Sequence, residues 1–212
     1  MGDVVMYVDG FNLYNGLRAK FRRAYQWLDL FALAQQMRAD DQILKVRYYT
    51  ALVKGEPDAA FRQKTYWAAL TAHRPEVEVI CGHFNPKRFK CYHCGQRYTC
   101  DCDPGREFRT YEEKLTDVAL GVGMVADAAT GVGDMSVLVS TDTDFLPAIK
   151  ACTQLAPDRQ MFVACPPGRH SPNLFEGHAQ GFVIHEEHFA VSQLPDQVVS
   201  GDRTYERPDK WR

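Results

Sequence analysis

Apolar positions along the chain fall into short continuous runs that alternate with longer stretches of helical spacing. Residues 3–8 are an aliphatic run ending in a carboxylate, the pattern of a parallel strand covered on both faces. Helical spacing follows over residues 13–22, and Asp29 is placed to cap a helix over 30–37 with Leu30, Phe31, Leu33, Ala34 and Met37 on its apolar side. Residues 43–53 predict a second strand. Pro57 suits the first turn of a helix reaching about His73, and residues 77–84 predict a third strand. Residues 85–109 break the rhythm, with almost no aliphatic side chains. A helix is then expected over 111–129, where Leu115, Val118, Ala119, Val122, Val125 and Ala126 make one apolar stripe, interrupted by Asp117 with Glu113 one turn before it. Gly131 and Gly133 end that helix. Residues 137–139 predict a fourth strand and 160–164 a fifth; a short helix over 173–178, a last strand over 181–184 and an irregular polar tail from 195 complete the pattern. This order predicts an α/β fold of three layers, Rossmann-like, with a mainly parallel central sheet flanked by helices. One domain over 1–194 would carry residues 85–110 as an insertion, followed by a tail over 195–212.

Composition narrows the picture little. The 212 residues, 45% of them hydrophobic and 12% aromatic, suffice for one sizeable core rather than two. A net charge of −2 gives no global field for nucleic acid, so any such partner must meet a local basic patch. The opening apolar run is too short for a signal peptide and no stretch has the length of a membrane span, so a cytoplasmic protein is expected, with no membrane partner.

The cysteines change more. Seven is an odd number, and four crowd into the insertion as Cys91-Tyr-His-Cys94 and Cys100-Asp-Cys102. A segment with no core of its own needs a staple, and four thiolates in two close pairs can surround a tetrahedral structural Zn²⁺. His93 or His83 is an alternative ligand. Lys87, Arg88, Lys90 and Arg97 are interleaved with Phe89, Tyr92 and Tyr98, a combination suited to phosphates and stacked bases; a merely solvated polar face gives the same composition. Cys152 and Cys165 read as small core hydrophobes.

Four acids carry the chemistry. Asp9 closes the first strand, Asp142 and Asp144 follow the fourth, and Asp117 lies early in the helix before the fourth. Ser140, Thr141, Asp142 and Asp144 also suit a helix N-cap. If the first and fourth strands are neighbours, however, the acids converge at the carboxyl ends of a parallel sheet, where α/β folds place their ligands. Clustered carboxylates repel one another unless a cation lies between them, which implies Mg²⁺ or Mn²⁺ and a phosphodiester-cleaving site. An Asp-x-Asp pair also serves phosphatases of the haloacid dehalogenase type, but there it follows the first strand, where this chain has Asp9-Gly10-Phe11.

Three segments in this order resemble the motifs of the NYN domain, a branch of the PIN-like nuclease superfamily: Tyr7-Val8-Asp9-Gly10-Phe11-Asn12-Leu13-Tyr14, Glu113-Lys114-Leu115-Thr116-Asp117-Val118 and Ser140-Thr141-Asp142-Thr143-Asp144-Phe145. The resemblance implies a PIN-like fold and metal-dependent ribonuclease activity, with Asp9, Asp117, Asp142 and Asp144 as the acidic cluster. It also implies that Asn12 orients the site or a phosphate and that Lys114 meets the scissile phosphate. RNA is the expected partner, with a second copy or a partner protein left open. The fold equally hosts catalytically inactive members, so an RNA-binding or adaptor module is the alternative.

Overall fold

The computed structural model describes residues 1–88, 94–96, 109–168 and 177–212. The chain runs β1 (Asp3–Asp9), α1 (Gly10–Phe21), α2 (Leu30–Met37), β2 (Gln42–Thr50), α3 (Pro57–His73), β3 (Val77–Cys81), β4 (His83–Arg88) and β5 (Arg109–Lys114). It continues as α4 (Thr116–Thr130), β6 (Met135–Val139), a 3₁₀ turn (Thr143–Phe145), α5 (Leu146–Leu155), β7 (Gln160–Cys165), β8 (Gln180–Val183), α6 (Glu186–Val191), β9 (Gln197–Ser200) and β10 (Arg203–Glu206). Among the described residues six strands form one parallel sheet in the order β3-β2-β1-β6-β7-β8, with helices on both faces. This is the expected three-layer α/β architecture.

The period of two along β1 divides the core. Val4, Met6 and Val8 face α1, α2 and α3 with Leu13, Leu17, Trp27 and Leu33, whereas Val5 and Tyr7 face α4 and α5 with Leu120, Met124, Phe145 and Ile149. Asp29 caps α2 as the sequence predicts, accepting from the N–H groups of Phe31 and Ala32 at 3.0 Å each. Its other oxygen accepts from Arg74 Nε at 2.7 Å, so the buried carboxylate is paired as well as capping. Cys152 and Cys165 are core residues, and burial pushes the Cys152 thiol up to about 11.

Three expectations need correction. The strand predicted over 77–84 is two: β3 joins the main sheet, while β4 turns away and pairs antiparallel with β5. Glu113 and Lys114 consequently lie on β5, and α4 starts only at Thr116. Residues 195–212 do not run as an irregular tail: β9 and β10 form a hairpin contacting α3, and Trp211 packs on Trp27 and Tyr66 with ring centroids 6.3 and 6.2 Å away. The helix predicted over 173–178 falls largely outside the described residues.

Candidate active site

The chain enters the sheet at β1, adds β2 and β3 on one side, and returns through β6 to add β7 and β8 on the other. Strand order therefore reverses between β1 and β6, and the crevice beyond their carboxyl ends is the ligand position of open α/β sheets. The register pairs Val8 with Val139, so Asp9 and Ser140 emerge side by side. The neighbourhood assumed for these strands is the one observed.

Asp9 is 8% exposed and both its carboxylate oxygens are used. Oδ1 accepts from the N–H of Asn12 at 3.0 Å, capping α1, and Oδ2 accepts from Ser140 Oγ at 2.9 Å. Ser140 Oγ in turn accepts from the N–H of Asp142 at 3.1 Å, linking the two strand ends through one hydroxyl. Asn12 Oδ1 accepts from the N–H of Thr141 at 3.3 Å and from its hydroxyl at 3.2 Å. Asp142 Oδ1 accepts from the N–H of Asp144 at 3.0 Å, which caps the 3₁₀ turn. Capping and site-building thus belong to the same side chains. Burial, more than any other influence, raises the Asp9 carboxyl above its ordinary range, and the nearby Asp142 charge adds to the rise.

Gly10 allows this arrangement. A Cβ there would stand 2.7 Å from both the Tyr48 ring and the Tyr49 carbonyl, so only glycine lets α1 start this close to β2.

The four acids are brought together as two pairs. Asp9 and Asp142 share the crevice, whereas Asp117, in the first turn of α4, and Asp144 line a groove of about 660 Å³ between α4 and α5. Among the described residues no group of three or more His, Cys, Asp or Glu side chains is placed to hold a metal ion. The segment joining β5 to α4 turns at Leu115, whose φ of 82° lies in the left-handed region; Lys114 and Asp117 flank it, both exposed. The β4–β5 pair touches the start of α1 through Phe84, which packs edge-on against Phe11 with centroids 5.6 Å apart.

Of the insertion, Cys91, Cys100, Cys102, His93, Lys90 and Arg97 lie outside the described residues; Cys94 is exposed with a free thiol, and Lys87 and Arg88 are in β4. Sequence reasoning missed Ser140 as the bridge between acids, having placed it as a helix cap. A hydroxyl directly after a buried strand, opposite an acid ending the neighbouring strand, is the signal that finds it.

No family model matches the chain. A search of curated proteins finds 6-hydroxy-3-succinoylpyridine 3-monooxygenase HspA of Pseudomonas putida (strain DSM 28022 / S16), 27% identical over 238 aligned positions that cover 97% of this chain and 74% of that protein. Among solved structures, a protein of unknown function from Vibrio parahaemolyticus RIMD 2210633, VPA0982, superposes with a TM-score of 0.57 over 88% of this chain and 94% of its own, at 16% identity. That likeness is one of fold. Among the described residues no helix is long and apolar enough to cross a membrane.

Proposed function

We propose that the chain is a nuclease dependent on Mg²⁺ or Mn²⁺ and acting on RNA, with Asp9 and Asp142 as the carboxylates that hold the cation. What supports this reading is the pairing of β1 with β6, which sets two acids at the reversal point of the sheet and joins them through Ser140. The donor set suits the ion. Mg²⁺ is commonly bound by one or two carboxylates, with waters and substrate phosphate completing its octahedral shell, so a pair of aspartates suffices without a closed protein cage. Bound there, the cation would polarise the phosphoryl group and acidify a water.

The remaining work belongs to the chain. Ser140 and the N–H of Asn12 fix the Asp9 carboxylate in one orientation, and the raised affinity of Asp9 for protons marks a buried charge that a cation would relieve. Asn12 ties α1 to the loop after β6, keeping the crevice at one width. Asp117 and Asp144, in the groove between α4 and α5, would serve as ligands of a second cation or as acceptors orienting the attacking water, and Lys114 would offer a cation to the scissile phosphate. A structural Zn²⁺ on Cys91, Cys94, Cys100 and Cys102 would hold Lys87, Arg88, Lys90 and Arg97 for RNA; elemental analysis finding no zinc, with no loss of stability in Cys91→Ser, removes that part.

The deciding experiment incubates the protein with single-stranded RNA, structured RNA and DNA, with Mn²⁺ or with EDTA. RNA cleavage with Mn²⁺ and none with EDTA supports the nuclease. RNA bound without products in both conditions replaces it with an inactive binding or adaptor module. The name of the Pseudomonas relative sets a third outcome: oxygen-dependent hydroxylation of a substituted pyridine, with RNA left intact, would move the function to that chemistry.

A further inference from the structure

A cavity of about 370 Å³ opens between α1, α3 and the C-terminal segment, on the sheet face opposite α4 and α5. Its wall begins at Gly10 and Phe11, the two residues that follow Asp9, so it adjoins the candidate active site directly. The volume is at the small end of ligand pockets, roughly 300–1,000 Å³, and suits a single ring with its substituents. Tyr14, Tyr48, Tyr66 and Trp211 line it, giving flat aromatic walls. Two of these are tied in place: Tyr66 donates its hydroxyl to the Leu28 carbonyl at 2.8 Å, and Trp211 packs edge-on against the Tyr66 ring.

Polar groups converge on this aromatic box without being used by the fold. Gln26 lines it, and its Nε2 is buried with no hydrogen-bond partner. Arg18 and Arg62 also line the cavity, and among the described residues neither guanidinium is in an ion pair. Against the one lining carboxylate, Glu56, these two guanidinium groups leave a net positive charge beside the flat aromatic walls, which matches a planar ring carrying an anionic group.

We infer that this cavity seats one nucleotide of the RNA, its base between the aromatic walls with one edge toward the Gln26 side chain and its phosphate on Arg18 and Arg62. The strand then leaves past Phe11 toward Asp9. The choice of a nucleotide rests on the nuclease reading; the shared chemistry is a heteroaromatic ring with an acidic tail, which a free pyridine carboxylic acid also has.

The test is calorimetric titration of the full chain in EDTA with the four nucleoside 5′-monophosphates, with ribose 5-phosphate and with pyridine-3-carboxylate. At least one nucleotide is expected to bind, with ribose 5-phosphate tenfold weaker or more. Gln26→Leu and Arg62→Gln should each weaken that nucleotide at least tenfold, and Ala59→Trp, which puts a ring into the cavity from a half-buried position of α3, should abolish binding. Because Nε2 has no partner to lose, Gln26→Leu is expected to melt no lower than the parent. Binding of pyridine-3-carboxylate alone, binding of no nucleotide, or nucleotide binding unchanged in all three variants overturns the inference. Titration without metal separates the two readings. Nucleotide binding without RNA cleavage in Mn²⁺ keeps the subsite and removes the nuclease, whereas cleavage with unchanged KM in all three variants does the reverse.

Discussion

Asp9 combines three duties: it ends a strand, caps a helix and faces a second acid. Burial is the largest influence on its carboxyl and pushes it upward, with the Asp142 charge acting the same way, while the N–H groups of Asn12 and Phe11 and the Ser140 hydroxyl pull it down without cancelling the rise. A carboxyl with a raised folded-state pKa contributes stability that is present at low pH and lost as pH climbs through the raised value. Metal-free Asp9→Asn is therefore expected to melt at least as high as the parent at pH 7, since the amide oxygen can still accept from the Asn12 N–H and no charge is buried. If the nuclease reading holds, Asp9→Asn and Asp142→Asn lose Mn²⁺-dependent cleavage by at least a hundredfold while circular dichroism and melting stay near parental. Either variant retaining full activity would sink the assignment. Metal binding should also weaken as pH falls through the raised Asp9 value, because the cation must displace a proton from that carboxyl; Mn²⁺ affinity that does not change with pH across and above the ordinary carboxylate range counts against Asp9 as a ligand. Gly10→Ala tests the geometry itself. Its methyl meets the Tyr49 backbone, which cannot swing aside, so α1 must shift and cleavage should fall together with stability.

At the scale of elements, α4 is where pattern and structure part. The stripe read from the sequence is largely solvent-facing, with Leu115, Val118 and Val122 exposed, and the buried face is instead Leu120, Met124 and Ala128. Helical spacing is satisfied by both sets, since Val, Ala and Leu occupy almost every position, and periodicity cannot choose a face when two are apolar. Leu120→Ala should cost about 2–5 kcal/mol in a denaturant titration, whereas Val122→Ala should fall within about 0.5 kcal/mol. The reverse order would restore the original stripe as the core side. Residues 109–114 were misread for a related reason: Glu113 and Lys114 favour helix, and the pairing with β4 that makes them a strand depends on a partner more than 20 positions away. By contrast β1, β6 and β7 were plain in the sequence, because a strand buried on both faces needs an unbroken apolar run that few other elements tolerate. The same runs disclosed Asp9 and Asp142, since a strand end marks a site position. The aromatic cavity stayed hidden, as it draws Gln26, Arg62 and Trp211 from segments with no local pattern in common.

Over the whole molecule, the helix layer on the α4 side is locked to the sheet by polar contacts as well as apolar ones. Asp127 of α4 is buried, accepting from the Tyr7 hydroxyl on β1 at 2.7 Å and from Arg47 Nη2 on β2 at 3.0 Å. Removing the acid would leave the buried Tyr7 phenol without its acceptor and Arg47 with the more exposed Glu78 carboxylate at 3.6 Å, so Asp127→Ala is expected to destabilise by roughly 3 kcal/mol, read from the denaturation midpoint. A loss below about 1 kcal/mol would show that the contacts are replaced by water. The topology that creates the crevice also sets when the crevice can exist. Asp9 and Ser140 are 131 positions apart and meet solely because β6 docks beside β1. A ribosome will have delivered β1, β2 and β3 long before β6 appears, and contacts of such separation close late. The acidic pair is thus born incomplete, and a nascent chain carries no assembled site until β6 and Asp142 have been synthesised.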